Sequence, residues 1–252
     1  MGLAETRRTF GPFGAVYDHY VVGAPPPILQ NAPSTVKQQQ EECLELLKAI
    51  RDYVDPGAIV AGGAPRNWDS GDLANDLDIY LQAPVANTDK EFYAKHADVK
   101  RYIRALLPDV AIDDHQPFKS PYRDGVAFVI QTMINITYRG MKGQLIFIGT
   151  GKGPFCTRVM NHFDTGINRI WCTVGGDGLM TKRTQQYIDD RDQKTLTLYP
   201  DNMSKDQLLH CIYSHLPKML KYYPSHSFRI KCSALKDRRH EDIFIGTKED
   251  IF

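Results

Sequence analysis

The stretch Ala58-Ile-Val-Ala-Gly-Gly-Ala-Pro-Arg66, followed by Asn75-Asp-Leu-Asp-Ile-Tyr-Leu81, constrains this chain more than any other. An apolar run ends in a glycine pair, and after a short polar excursion a second apolar run opens with two aspartates one residue apart. Side chains alternate faces along a strand, so Asp76 and Asp78 are expected on one side while Leu77 and Ile79 point to a core. Neighbouring carboxylates repel unless a cation sits between them, and two magnesium ions are the usual partner where phosphate is handled. Two ions about 3.5–4 Å apart can activate an attacking hydroxyl and neutralise leaving phosphates. Gly62 and Gly63 let backbone N–H groups approach a triphosphate, a helix expected after Pro65 aims its positive end there, and Arg66 can grip a phosphate. An Asp-x-Asp or a Gly-Gly alone is common. Their order and spacing together carry the reading.

Those residues resemble the signature of the nucleotidyltransferase superfamily. Within it the likeness is to the head domain of bacterial poly(A) polymerases and CCA-adding tRNA nucleotidyltransferases: a strand, Gly-Gly-x-x-Arg, a short helix, and Asp-x-Asp on the next strand. Phe163-Asp-Thr-Gly-Ile-Asn168 looks like that family's Arg-Asp-Phe-Thr-Ile-Asn segment, and Tyr187 to Leu198 is similar to the passage out of the head. The resemblance spans roughly residues 35 to 225. It implies an α/β (α+β) fold of polymerase-β type, a mixed sheet flanked by helices. It also implies that Asp76 and Asp78 are catalytic metal ligands and that Asp164 shapes the nucleotide pocket, although His162 and Phe163 replace the usual arginines before it. Many members add a third carboxylate on a later strand; here that strand offers Gln144, Leu145 and Ile146.

At 252 residues, 42% hydrophobic and 24% charged, the chain has material for one substantial core and a small appendage. It carries no apolar run of membrane-spanning length and no apolar leader at Met1-Gly-Leu-Ala-Glu-Thr-Arg-Arg, so a cytoplasmic location is expected. The five cysteines are odd in number, widely spaced and never in Cys-x-x-Cys, which reads as free thiols rather than disulfides or zinc ligands. Net charge is only +1. The bases nevertheless concentrate between His215 and His240, interleaved with Tyr222, Tyr223 and Phe228, a composition suited either to RNA contact or to a solvated basic tail.

Along the chain, residues 1–33, with Pro25-Pro-Pro27, read as extended. Residues 34–200 read as the head, and residues 201–252 as a short, basic, helical extension without a full neck, body and tail. Ser34 is the expected N-cap of a helix to about Tyr53, and Ala58 to Ala61 a strand. Thr88 is expected to cap a helix to about Leu107. Val126–Tyr138 and Gly143–Ile148 form an expected hairpin through Arg139-Gly-Met-Lys. Gly149 to Pro154 lacks the phosphate-loop order and reads as a turn into a short helix, with Lys152 a candidate triphosphate contact and Arg158 a further nucleotide contact. Ile167–Val174 reads as a strand, Gly175–Gly178 as a turn, Thr181–Asp190 as a helix, Leu196 to Leu198 as a last strand, and Ser204–Gln207 as the cap of a helix to about Lys221.

The expected activity is magnesium-dependent transfer of a nucleoside monophosphate from an NTP such as ATP to an acceptor hydroxyl, with an RNA 3′ end as the leading acceptor. Two rivals remain: modification of a protein or small molecule, and a nucleotidyltransferase-fold binding module without turnover.

Overall fold

The computed structural model describes residues 6–10, 16–20, 32–83, 89–113, 130–149, 151–200, 208, 211–231 and 243–246. The expected caps at Thr88 and Ser204–Gln207, residues 126–129 of the hairpin, the Pro25–Pro27 run and the bases Lys236, Arg238 and Arg239 lie outside them.

Strands β1 (Thr6–Phe10) and β2 (Val16–Tyr20) pair antiparallel. Helix α1 (Val36–Tyr53) follows. Its N-cap is Thr35, one residue past the expected Ser34, with the Thr35 hydroxyl accepting from the Gln38 N–H at 3.2 Å. Ser34 instead donates its own N–H to the Gln38 side chain at 3.0 Å, so both residues tie down the helix start. Cys43, Leu46, Leu47 and Ile50 recur at three- and four-residue steps and are all fully buried. Each such leucine or isoleucine contributes about 2 kcal/mol on burial.

The main sheet contains β3 (Ile59–Ala61), β4 (Leu77–Gln82), β5 (Val110–Ile112), β6 (Ile130–Tyr138), β7 (Met141–Ile148), β8 (Ile170–Val174) and β9 (Leu179–Arg183). Its order is β5-β6-β7-β4-β3-β8-β9, with β4 and β7 parallel and the other pairs antiparallel. Leu77, Ile79 and Leu81 of β4 face α1 and α3 (Asp89–Leu106), while Tyr80 belongs to the cluster on the other face, under α4 (Phe155–His162). This is the expected mixed sheet flanked by helices. Among the described residues no helix is long and apolar enough to cross a membrane.

The β6–β7 hairpin turns on two residues rather than four, with Arg139 at φ 46° and Gly140 at φ 78°. A side chain at Gly140 would meet the Ala32 backbone at 2.8 Å. The Arg139 guanidinium bonds Glu42 and Glu45 of α1 and lies 3.3 Å from Asp109, tying this turn to α1.

Three expectations are corrected here. Residues 167–168 belong to a 3₁₀ turn (Gly166–Asn168), and the strand starts at Ile170. Residues 181–183 are strand, because β9 pairs with β8 through Cys172↔Thr181 and Trp171↔Lys182; helix α5 (Gln185–Gln193) begins only after the Thr184 cap. Strand β10 (Thr195–Leu198) is not the last. It pairs with β11 (Ser227–Ile230), which pairs with β12 (Ile243–Gly246), in a second sheet spanning both sides of residue 200.

That sheet shares an apolar cluster with α5 and with α6 (Leu216–Tyr222), built on Tyr187, Leu196, Leu198, Leu220 and Phe228. A π-helical turn, Cys211–His215, leads into α6, where Pro217 stands in the first turn without an N–H to donate.

Candidate active site

The signature stretch builds the two adjacent central strands, β3 and β4, of the main sheet. Val60 faces Ile79 in the β3–β4 register, so the chain leaves β3 at Gly62 next to the start of β4. Helix α2 (Gly63–Asp69) begins there, two residues before Pro65, with Gly62 at φ 81°. A side chain at Gly62 would meet the Phe163 ring at 2.9 Å, whereas at Gly63 the nearest atom would be Arg66 Nη2 at 4.0 Å. Gly62 is thus required by backbone and packing, and Gly63 leaves open space.

Asp76 precedes β4 and is exposed; Asp78 is its second residue and half-buried. Burial, and then the charge of Asp76, push the Asp78 carboxyl up to about 6. Leu77, between them, is in the core. Asp76 lies close enough for its charge to act on Asp78.

A buried amide sets the approach to this pair. Gln39 of α1 accepts from Trp68 Nε1 at 3.0 Å and from the Ala74 N–H at 2.8 Å, and donates to the Ala74 carbonyl at 2.9 Å. It fastens α1 to α2 and to the loop that delivers Asp76. A lone glutamine within a helical period gives no sequence signal for this.

Next to Asp78 across the parallel β4–β7 pair stands Gln144, and opposite Gln144 on β6 stands Asn135. Gln144 Nε2 donates to Asn135 Oδ1 at 3.0 Å, and Asn135 reaches the Asp113 carboxylate at 3.4 Å. The residue beside Asp78 on the neighbouring strand is therefore an amide rather than a carboxylate. A cleft of about 710 Å³ opens over this row, lined by Asp76, Asp113, Asn135, Lys142 and Gln144 among others.

On the other side of the pair lies Arg66. Its guanidinium bonds the Asn168 side-chain oxygen, sits 3.3 Å from Asn67 Oδ1 and lies 5.5 Å from the Tyr223 ring centroid. Arg66 Nε is buried without a hydrogen-bond partner among the described residues. Asn168 is held in turn by Thr165 at 3.0 Å, so the Asp164–Asn168 segment wraps the arginine. The Asp164 carboxylate accepts from His215 and, at 3.1 Å, from the Cys211 thiol. Burial works against its charge, yet the His215 hydrogen bond and charge hold it below the usual carboxylate range.

Lys152 and Arg158 are placed elsewhere. Ile148 pairs with Gln82 at the far end of β4, and Arg158 bonds Gln82 Oε1 and, at 2.6 Å, the Gly149 carbonyl. Five residues of strand, about 17 Å, separate that end from the start of β4. Lys152 is exposed in the segment before α4. Of the aromatics expected to stack on nucleic acid, Phe228 is core and Tyr223 packs by Arg66, while Tyr222 is 72% exposed.

No protein-family model matches this chain, and no curated protein does. Solved structures of tRNA nucleotidyltransferases are similar to it. The Thermotoga maritima CCA-adding enzyme complexed with tRNA is 13% identical over 79% of this chain and 43% of its own, with a TM-score of 0.45. The Bacillus stearothermophilus CCA-adding enzyme in complex with CTP is 12% identical over 68% of this chain and 37% of its own, with a TM-score of 0.42. An apo tRNA-processing enzyme is 14% identical over 73% of this chain and 43% of its own, also at 0.42. The chain spans less than half the length of each.

Proposed function

We propose that this chain is a magnesium-dependent nucleotidyltransferase that moves a nucleoside monophosphate from an NTP to an acceptor hydroxyl and releases pyrophosphate. One observation carries the reading: Asp76 and Asp78 flank the buried Leu77 at the start of the central strand β4, beside the Gly62–Gly63 turn, and burial and then the charge of Asp76 push the Asp78 carboxyl up to about 6. Two hard oxygen donors under that repulsion fit magnesium, whose remaining positions go to water and phosphate oxygens. Bound there, the ions would supply charge neutralisation for an in-line displacement.

The chain's own residues do the positioning. Gly63 leaves room for a triphosphate against the backbone, and Arg66, with a buried and unspent Nε, offers a donor to a phosphate oxygen. Asn168 fixes the arginine and is itself held by Thr165, the residue after Asp164. Lys152 and Arg158, at the far end of β4, take no part. The cleft over Gln144 and Asn135 is the entry for the acceptor, on the side of the acids away from Arg66.

The acceptor is an RNA end, working in a reducing cytoplasm. Supporting this are Lys218 and Lys221 on the same helix turn as the exposed Tyr222, and the free thiols Cys43, Cys156, Cys172 and Cys211. The neutral Gln144 favours one rival, a nucleotide-binding module without turnover. Incubation with each labelled NTP, magnesium and total cellular RNA or protein decides among these. Label in RNA supports the proposal, label in protein moves the acceptor, and label in neither leaves the binding module.

A further inference from the structure

The structure assigns a second metal site, for a borderline-soft divalent cation such as zinc, to Asp164, Cys211 and His215. Their ligand atoms, a carboxylate oxygen, a thiol sulfur and an imidazole nitrogen, all lie within 4.8 Å of one another. They come from two separate segments. Asp164 follows α4, and the π-helical turn brings Cys211 and His215 back to it. All three are partly buried, so each donor has lost part of its water and is still reachable by an ion.

The donor set decides the metal class. Sulfur and nitrogen beside one oxygen suit zinc or cobalt, whereas magnesium takes oxygen ligands and near-octahedral geometry. Around tetrahedral zinc, with bonds of about 2.0–2.3 Å, donors stand about 3.5 Å apart. Cys211 Sγ already lies 3.1 Å from Asp164 Oδ2, and the His215 ring nitrogen touches the same oxygen. Side-chain rotations of about 1 Å open the trio around an ion and leave its fourth position to solvent or a ligand. In the metal-free protein two hydrogen bonds converge on one carboxylate oxygen. On binding, the Cys211 thiol proton leaves to solvent, a doubly protonated His215 also releases its Nδ1 proton, and a neutral His215 keeps its single proton on Nε2, so that sulfur and Nδ1 donate their lone pairs to the cation. The site ties the Asp164 segment, which holds Asn168 and hence Arg66, to the turn before α6. It shares Asp164 with the proposed nucleotide pocket but uses neither Asp76 nor Asp78, so its metal readout is separable from nucleotide transfer.

The test is a Co²⁺ titration of the full chain in excess Mg²⁺, read by thiolate-to-cobalt absorption, followed by Zn²⁺ displacement and metal analysis after dialysis. The expected result is one Co²⁺ per chain with the thiolate band, displaced by Zn²⁺. Affinity should fall at least about a hundredfold in Cys211→Ser and His215→Gln. Cys156→Ser and Asp76→Ala should keep the band. Both ligand variants retain a hydrogen-bonding side chain, and circular dichroism of the metal-free proteins separates lost binding from lost fold. Absence of a thiolate band in the wild-type chain, or its survival in Cys211→Ser, overturns the assignment.

Discussion

Asp78 and Gln144 stand side by side across the parallel β4–β7 pair, a carboxylate beside a neutral amide. Replacing Gln144 by Glu would set a third acid in register with the pair. Metal-free, it should push the Asp78 carboxyl further up; with metal, it should tighten Mg²⁺ binding by roughly 1 kcal/mol, or about fivefold. Calorimetric titration of both proteins checks this, and unchanged or weaker binding in Gln144→Glu would contradict it.

Gly62 and Gly63 are adjacent in sequence and opposite in tolerance. Gly62→Ala combines a left-handed backbone with a 2.9 Å approach to Phe163 and should lose about 2–3 kcal/mol of stability. Gly63→Ala meets nothing closer than 4.0 Å and should fold within about 0.5 kcal/mol of wild type. If a triphosphate lies against this turn, Gly63→Ala raises the KM for NTP while the fold persists. Denaturation curves and NTP kinetics on the two variants separate these effects.

Asp69, at the end of α2, accepts from Tyr187 Oη at 2.7 Å and from Arg183 Nε at 3.0 Å, with Arg191 at 3.4 Å. Its side chain is 7% exposed, against 39% and 44% for the two arginines, which rehydrate when it is removed. Asp69→Ala should therefore cost about 2–3 kcal/mol, below the figure for a fully buried pair. A melting temperature equal to wild type would show that α2 is held to β9 and α5 by packing alone.

Asp190 is buried on α5, and burial pushes its carboxyl up to about 6 although Thr197 and the Ile167 backbone donate to it. Its folded value lies above its unfolded one, so the folded state binds the proton more tightly. The stabilisation is complete below about pH 4 and is lost as pH rises through about 6. Between those limits wild type should lose about 2–3 kcal/mol relative to Asp190→Asn. Urea denaturation of both proteins across that range measures the difference, and a flat difference would refute it.

The parts of the fold legible from sequence are those whose cause is local. The Gly-Gly turn, the Asp-x-Asp strand, the apolar stripe of α1 and the Arg139–Gly140 hairpin each follow from neighbours a few residues apart. Strand β9 is different: Leu-Met-Thr-Lys-Arg is compatible with helix, and only pairing with β8 makes it a strand. Strand β11 likewise depends on β10, some 30 residues earlier in the chain by register.

The same division runs through the site. Asp76, Asp78, Gly63 and Arg66 lie together on the β3–α2–β4 stretch, whereas Gly62, expected to offer its N–H to a phosphate, donates it to the Ile170 carbonyl and lies under the Phe163 ring. Arg158 and Lys152 do not join them, because β7 runs parallel to β4 and carries the following segment to the far end. Gln39 and the amide row of Gln144 and Asn135 are visible only once the register is known. Cys211 and His215 do leave a trace, a four-residue spacing that places both on one turn, but their partner Asp164 is distant in sequence.

The central claim is that Asp76 and Asp78 act together on a metal-bound triphosphate. Pyrophosphate release from NTP, with and without Mg²⁺, measured on wild type, Asp76→Ala and Asp78→Ala of matched circular dichroism, tests it most directly. The account predicts Mg²⁺-dependent release in wild type and a loss of at least about a thousandfold in either variant. Release that persists in both variants, or that is indifferent to Mg²⁺, would contradict it.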